Sequence, residues 1–239
     1  MRNPAVSEHG GTLISHHIVI IPKFTGSVTN GDALAHKTRD FRLLALKTSP
    51  GAFASTYDEE SRRGLDLTLE RLKSTKATQF VAVAVEEALE EPGVCDADMS
   101  DLSEHDWLGV VVLMGPNRDD KIISAKSDPV DQMVRLKDAV ATLEGHEALH
   151  FHLNGMFVQP SARKSGIGRR LIEAALEKAR EMSASCGVKG VHCTIIVDEW
   201  NHSARDLYAR CGFTVVAKEV YGDDRVALRM ELRKAVTGA

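Results

Sequence analysis

The sequence predicts a single α/β domain in which strands and helices alternate along the chain. Three observations support this prediction. Residues 153–171 read as a strand, a basic turn with glycines and the start of a helix. Other short apolar segments alternate like strands and are separated by stretches with helical spacing. The 239 residues are 43% hydrophobic and 27% charged, which is typical of a globular protein with a sizeable core.

The first third of the chain is predicted to supply two strands and two helices. Residues 1–12 are polar without a pattern, so we expect a flexible N-terminus. Thr29 to Asp32 has the composition of a helix cap, and Ser49-Pro50-Gly51 that of a helix end. The predicted elements are a strand over 13–21, a helix from 33 to 47, a helix over 66–74 and a strand over 79–85.

The middle of the chain contains an acidic stretch. Residues 86–106 include nine acidic residues and no lysine or arginine. Because like charges repel, an exposed loop is the ordinary interpretation, and the alternative is a negative field that attracts a cationic amine. A strand over 107–114 that ends at Gly115-Pro116, and then a helix from 128 to Gly145, are predicted to follow.

The last third is predicted to contain a long helix, a strand, a short helix and a hairpin. Apolar residues recur at helical spacing from Gly166 to Met182, so this helix is amphipathic. The short helix begins at the cap residue Asn201 and ends before Gly212. The remaining elements are a strand over 188–197, a hairpin of strands over 213–220 and 225–233, and a loose tail over 234–239.

The turn before the long helix suits a phosphate. The first N–H groups of a helix have no intrahelical partner and lie at the positive end of its dipole. Gly166 and Gly168 let the backbone come close to a ligand, and an ordinary basic helix start is the alternative. No Gly-Lys-Ser/Thr follows, which excludes a P-loop, and Leu171 replaces the third glycine of the dinucleotide fingerprint. The cationic side chains of this turn are Arg163, Lys164, Arg169 and Arg170.

Composition narrows the classes of partner. A net charge of −4 and a pI of about 6.2 give no overall basic surface for nucleic acid or an anionic membrane. No apolar run approaches the roughly 20 residues of a membrane span, and the N-terminus lacks the pattern of a signal peptide. We therefore expect a cytoplasmic protein with neither nucleic acid nor membrane as partner.

A competing motif stands at His146-Glu147-Ala148-Leu149-His150, a literal His-Glu-x-x-His. On a helix this spacing binds zinc and makes the glutamate a general base, so a zinc hydrolase is one alternative function. The pattern needs a helix through both histidines. Gly145 ends the preceding helix, however, and from Leu149 onward apolar and polar residues alternate like a strand. We therefore predict no metal.

Three separated motifs resemble the GNAT family of acyl-CoA-dependent N-acyltransferases. Arg163-x-x-Gly166-x-Gly168, after a strand that ends at Val158, is similar to the family pattern that binds the coenzyme A pyrophosphate. Residues 49–60 resemble the segment that often joins the family's first two helices. Asn201-x-x-Ala204-x-x-Leu207-Tyr208-x-x-x-Gly212-Phe213 resembles a further family element. The likeness covers 13–233, with inserts at about 87–106 and 116–145.

The resemblance implies a mixed, centrally splayed sheet flanked by helices. In the family the pantetheine arm lies in the splay, here near Met156, Phe157 and Val158, and one N–H polarises the thioester carbonyl. Asn201 would touch the coenzyme, and Tyr208 would protonate the departing thiolate. Without the resemblance Tyr208 reads as a core aromatic. The other residues that the resemblance assigns to acetyl-CoA binding are Arg163, Lys164, Ser165, Gly166, Ile167, Gly168 and Arg169.

The general base is less defined, because His152 stands where the family's protein-lysine branch has a glutamate. An imidazole with a pKa near 6.5 suits proton removal from an amine, and a structural histidine is the alternative. The implied reaction is acetyl transfer from acetyl-CoA to a primary amine, by direct attack in a ternary complex. The acidic stretch favours a small cationic acceptor. A protein or peptide acceptor, a non-catalytic acyl-CoA-binding regulator and a homodimer stay open.

Overall fold

A computed structural model describes residues 15–23, 28–85, 94–96, 99–117, 148–221 and 225–236. They form eight strands and six α-helices. In chain order these are β1 His16–Ile20, α1 Val28–Thr48, α2 Tyr57–Arg62, α3 Leu65–Lys73, β2 Ala77–Ala84, β3 Val94–Asp96, α4 Met99–Glu104, β4 Trp107–Asn117, β5 Leu149–Val158, α5 Ile167–Ser185, β6 Gly190–Asp198, α6 His202–Arg210, β7 Thr214–Tyr221 and β8 Arg225–Ala235.

The strands form one sheet in the order β3-β1-β2-β4-β5-β6-β8-β7. The β1·β3 and β5·β6 pairs are parallel and the other pairs are antiparallel, so the sheet is mixed. The prediction of one α/β domain with a mixed sheet flanked by helices is confirmed.

Helices cover both faces of this sheet. On one face α5 buries Ile167 and Leu171 in the same cluster as Phe151 and Leu153 of β5. The helical spacing of the apolar residues of α5 places them along one side of the helix, which packs on the sheet. On the other face α1 packs over Trp107 of β4 in a separate apolar cluster. The two faces therefore present different environments to whatever enters the sheet from either side.

The central splay lies between β5 and β6. Their parallel ladder runs from the Leu149·Val191 pair to the Leu153·Ile195 pair and ends there. Beyond it β5 continues to Val158, paired only with β4 among the described strands, while β6 continues along β8. The sheet thus parts next to the last five residues of β5, where the resemblance placed the opening.

Several boundaries differ from the prediction. α1 begins at Val28, so Thr29 to Gly31 lie in its first turn and Asp32 follows directly. First-turn N–H groups lack partners in any case, which makes cap-type residues acceptable there. β4 continues through Pro116 to Asn117, because a register shift after Met114 spares the proline a ladder bond. β8 likewise runs two residues past Arg233, to Ala235.

Other predictions concern segments described in part or not at all. The acidic stretch contains β3 and α4, so it is not loop throughout. The predicted helix from 128 to 145, the N-terminal residues 1–14 and the hairpin turn at 222–224 lie outside the described residues. None of the described helices is both long and apolar enough to cross a membrane.

Candidate active site

Residues 159–169, here called the phosphate turn, join β5 to α5. A 3-10 turn over Pro160–Ala162 follows the strand, and Lys164 and Gly166 then adopt the left-handed conformation with φ of 64° and 87°. α5 starts at Ile167, and no side chain caps its first turn. The amides of Ile167, Gly168 and Arg169 therefore present an uncapped, positive helix end.

The two glycines of the turn have different reasons to be glycine. At Gly166 the left-handed φ favours glycine, because other residues adopt this conformation only with strain. Space is not the reason, since a Cβ there would meet no atom within 4 Å. At Gly168 a Cβ would lie 3.0 Å from Leu207 Cδ2 and 3.2 Å from Met156 Cε. Gly168 thus lets α5 approach both β5 and α6 closely.

The basic side chains of this region divide into two groups. Arg163 donates from Nε to Val158 O at 3.1 Å and from Nη2 to Ser49 Oγ at 3.0 Å. Arg169 pairs with Glu173 at 2.7 Å on the exposed surface. Arg170 instead points to β1, where it donates to His16 O. Arg163, Arg169 and Arg170 thus all have protein partners, but only Arg163 and Arg169, with Lys164, are exposed at the turn.

The opened half of β5 turns backbone groups toward the splay. Gln159 N donates to Leu108 O of β4, and backbone groups alternate in direction along a strand. The amides of Met156 and Val158 therefore point away from β4, toward the gap beside β6. Gly155, with φ of 61°, and Met156 lie at the register shift between β4 and β5, and Val158 follows it. These amides are suitably directed to bond an extended ligand or polarise its carbonyl oxygen.

Tyr208 and Asn201 belong to α6. The ring of Tyr208 is 5% exposed, contacts Phe213 edge to face and lies in the α5-side cluster. Burial raises the pKa of Tyr208, which keeps the phenol protonated and able to donate. Asn201 is the N-cap residue, and its Oδ1 accepts from Ala204 N at 3.3 Å. The cap prediction is confirmed, while contact of Asn201 with a coenzyme stays a prediction.

His152 lies on the sheet face opposite α5 and is 4% exposed. Its Nδ1 is 2.9 Å from Thr194 Oγ1, which itself donates to Phe151 O. Which of the two atoms donates in this pair depends on the tautomer of His152. Burial lowers the pKa of His152 to about 3, so the imidazole is neutral at pH 7 but a weak base. Its role as general base stays a prediction.

The His-Glu-x-x-His motif is not helical at the end that the structure describes. His150 lies in β5, and its Nδ1 is 2.8 Å from His192 Nδ1, while His192 Nε2 contacts Glu231 Oε2 at 2.9 Å. His146 and Glu147 lie outside the described residues. Among the described residues, no group of three or more histidine, cysteine or acidic side chains is placed to hold a metal ion.

A second cationic site, which we call the arginine cavity, lies on the sheet face opposite α5. It opens between α1, α2 and α3 above β2, β4 and β5 and reaches Gly155. Its lining residues are Thr38, Arg39, Arg42, Glu60, Thr68, Arg71, Ala77, Gln79, Val112, Met114, Asn154 and Gly155.

Glu60 is the centre of the arginine cavity. It is 4% exposed, and its Oε1 lies 2.5 Å from Arg71 Nη1. Its Oε2 lies 3.2 Å from Arg63 Nη1 and 3.7 Å from Arg42 Nε. Burial alone would raise the pKa of Glu60, but the hydrogen bond and charge of Arg71, with Arg42 and Arg63, lower it overall. Glu60 is therefore a carboxylate at neutral pH.

The arginine cavity is not visible in the sequence because its residues come from six elements. One local signal was available. Thr56 and Glu59 form a capping box, in which Thr56 Oγ1 accepts from Glu59 N at 3.2 Å and Thr56 N donates to Glu59 at 2.9 Å. The spacing Thr-x-x-Glu predicts this helix start, although it does not predict which way Glu60 faces.

Comparisons with known proteins also point to the GNAT family. Residues 115–213 match the model of the family described as Acetyltransferase (GNAT) family. No curated protein matches the chain. The acetyl-CoA complex of NAA60 from Arabidopsis thaliana is 15% identical, covers 90% of this chain and 98% of its own, and superposes with a TM-score of 0.50. At this identity the likeness shows the fold.

Two further solved structures are similar at a lower score. The spermidine N-acetyltransferase of Vibrio cholerae, in complex with CoA and spermine, is 15% identical, covers 91% of this chain and 95% of its own, and has a TM-score of 0.48. A GNAT family acetyltransferase from Streptococcus pneumoniae is 14% identical, covers 92% and 100%, and has a TM-score of 0.46.

Proposed function

We propose that this chain is an acetyltransferase of the GNAT family, whose model matches residues 115–213, and that it moves the acetyl group of acetyl-CoA to a primary amine by direct attack in a ternary complex. The observation that carries the proposal is the position of the phosphate turn at the end of the parted strand β5. An anion held by the turn amides and a chain laid along Met156 and Val158 would be parts of one ligand. Acetyl-CoA has this shape, with a diphosphate at one end and a thioester at the other.

The residues present fit such a co-substrate. The uncapped amides from Ile167 to Arg169 suit the diphosphate, with Arg163 and Lys164 exposed beside them. The amides of Met156 and Val158 would bond the pantetheine arm. One of them would stabilise the oxygen that gains charge when the amine attacks, an effect worth roughly 3 kcal/mol in the transition state. The solved NAA60 structure also contains acetyl-CoA, which supports the same co-substrate.

Tyr208 is the proposed acid. The thiolate that leaves has a conjugate acid with a pKa of roughly 8.5, and a buried, protonated phenol can donate to it. Leu207 contacts the start of α5 at Gly168, so α6 holds Tyr208 close to the phosphate turn. His152 stays the predicted base, although its low pKa makes it a weak one. The amine could equally lose its proton to water or to another group of the substrate.

The acceptor is proposed as a small amine. The sequence prediction of a cationic acceptor was based on the acidic stretch. The three arginines that line the arginine cavity would repel a cation, so they disfavour a cationic acceptor in that cavity. A peptide acceptor and a non-catalytic acyl-CoA-binding regulator are the competing functions. A cytoplasmic location and a homodimer stay predictions.

The test combines binding with turnover. Calorimetry should detect acetyl-CoA association, and a panel of amines should release free coenzyme A. Tyr208→Phe should lower kcat by about 100-fold or more while the Kd of acetyl-CoA stays the same, because only the departing thiolate needs the proton. Tyr57→Phe, at a residue that is 40% exposed on α2, is the matched control and should keep full turnover.

Three outcomes would contradict parts of the proposal. Absence of acetyl-CoA binding would remove it entirely. Binding without coenzyme A release on any amine would favour the regulator. Unchanged kcat in Tyr208→Phe would remove Tyr208 from the reaction and leave the acyl transfer intact.

A further inference from the structure

The arginine cavity holds more positive than negative charge. Arg39, Arg42 and Arg71 line it, and Glu60 is the one carboxylate among the lining residues that the structure describes, so this described lining carries two excess positive charges. Glu60 already contacts Arg42 and Arg71. Arg39 makes no ion pair with any carboxylate of the described residues and instead donates to the carbonyl oxygens of Ser61 and Arg63.

Buried cations without counter-charges are costly, so this excess indicates a missing anion. Arg42 and Arg71 are only 23% and 14% exposed. Burial, opposed by Glu60, lowers the pKa of Arg42, and the charges of Arg71 and Arg63 lower it further. Guanidinium groups bind carboxylates through paired N–H donors. A bound carboxylate would offset the repulsion that Glu60 alone leaves.

The cavity lies on the acceptor side of the predicted thioester. α5 and the phosphate turn contact one face of the sheet, whereas the arginines come from helices on the other face. The two regions meet at Gly155, which lines the cavity and precedes Met156 in the opened half of β5. A ligand in the cavity would therefore reach the splay from the side that the co-substrate leaves open.

The cavity is also small. It measures about 90 Å³, well below the roughly 300 to 1,000 Å³ of sites that enclose a whole drug-sized ligand. The lining is polar at the arginines, and Val112 and Met114 make it apolar toward β4. A short molecule with one anionic end fits this arrangement better than a polyamine, whose charges the arginines would repel.

We propose that the arginine cavity binds the carboxylate of a small amino acid acceptor and so directs its amine toward the opening at Gly155. This assignment rests on the proposed acetyl transfer and names its acceptor class. The amine loses a proton and attacks the thioester carbon, the carbon–sulfur bond breaks, and the thiolate takes up a proton. The products are an N-acetylamino acid and coenzyme A.

The experiment compares matched amines. Glycine, β-alanine, γ-aminobutyrate and lysine are each assayed beside their carboxamides, with putrescine and spermidine as cationic amines. We expect kcat/KM for at least one amino acid to exceed that of its carboxamide by about tenfold or more, because the amide lacks the charge that the arginines bind. Equal or faster turnover of the amides or polyamines would overturn the assignment.

A second measurement does not depend on turnover. In the presence of acetyl-CoA, the thermal midpoint should rise with the preferred amino acid and not with its carboxamide. Arg39→Gln should abolish this rise, and it leaves the contacts of Glu60 intact. Arg62→Gln, at an exposed residue of α2, should keep the rise. No rise with any amino acid, or an equal rise in Arg39→Gln, would contradict the proposal.

The two proposals fail differently. If calorimetry detects no binding of acetyl-CoA, the proposed acetyltransferase function is refuted. Acetyl-CoA binding with turnover of spermidine or putrescine would keep the transfer reaction and refute only the carboxylate assignment.

Discussion

The phosphate turn and the arginine cavity are both cationic, but they hold their charges in different ways. In the turn, Arg163, Lys164 and Arg169 are exposed, so water solvates them when no ligand is bound. In the cavity, Arg42 and Arg71 are mostly buried and depend on Glu60. Exposed charges can change partners at little cost, whereas buried charges need a fixed counter-charge. In the proposed reaction, this difference would suit the turn to release a large co-substrate and the cavity to select an acceptor.

Removing the counter-charge should give the largest difference between the two regions. Glu60→Gln leaves three arginines around a neutral side chain and should lower the free energy of unfolding by about 3 to 5 kcal/mol. Glu173→Gln, which breaks the exposed pair with Arg169, should change it by less than about 0.5 kcal/mol. Urea unfolding of both variants measures this. Similar losses would mean that the cavity is solvated like the surface.

A second prediction concerns His152, which is buried on the same sheet face as the cavity. Its pKa in the folded protein, about 3, lies below the unfolded value of roughly 6.5, so between these values only the unfolded state binds this proton. Stability from this group is complete above pH 6.5 and falls as pH decreases. Going from pH 7 to pH 5 should cost about 2 kcal/mol.

His152→Asn, which can keep a hydrogen bond to Thr194, should remove this part of the pH dependence of unfolding. His105→Asn, which makes the same replacement at an exposed histidine, is the control variant. The measurement is the free energy of unfolding in urea at both pH values. An unchanged slope in His152→Asn would show that the buried imidazole accepts a proton in the folded state.

The smallest predicted effect separates two glycines that each precede a helix. Gly166→Ala places a Cβ at φ of 87° and should cost about 1 to 2 kcal/mol, with several-fold weaker acetyl-CoA binding as the turn amides are redirected. Gly64→Ala, at φ of −69° before α3, should change stability by less than about 0.5 kcal/mol and leave binding unchanged. Equal effects would mean that the left-handed turn does not orient the amides.

The same two regions show what sequence can predict. The phosphate turn is contiguous, so its glycines, its basic residues and the periodicity of α5 are all visible in one stretch. Three motifs along the chain carried the GNAT resemblance, which the family match at residues 115–213 confirms, and the similar solved structures share the fold. The mixed sheet was an expectation that this resemblance implied, and the strand order confirms it. The observed ends of α1 and β4 differ from the predicted ends by a few residues. At these positions the first turn of a helix or a bulge in a strand tolerates residues that usually mark the end of an element.

The arginine cavity could not be predicted in this way. Arg39, Arg42, Glu60 and Arg71 lie on three helices, and each alone is an ordinary surface charge in the sequence. Only packing of α1, α2 and α3 over the sheet turns them inward together. The burial of His152 was hidden for a similar reason, because a strand pattern gives its face but not what covers that face.

One segment joins the two regions. Ser49 accepts a hydrogen bond from Arg163 of the phosphate turn, and Ser55 accepts one from Arg42 of the arginine cavity at 3.3 Å. Between them Arg225 donates to Gly51 O at 2.6 Å, which anchors the middle of the segment. A diphosphate that attracts Arg163 competes with Ser49 and so acts on a tether whose other end contacts Arg42. Any coupling free energy that this segment carries between the two ligands would be reciprocal, so each ligand would change the other's affinity by the same factor.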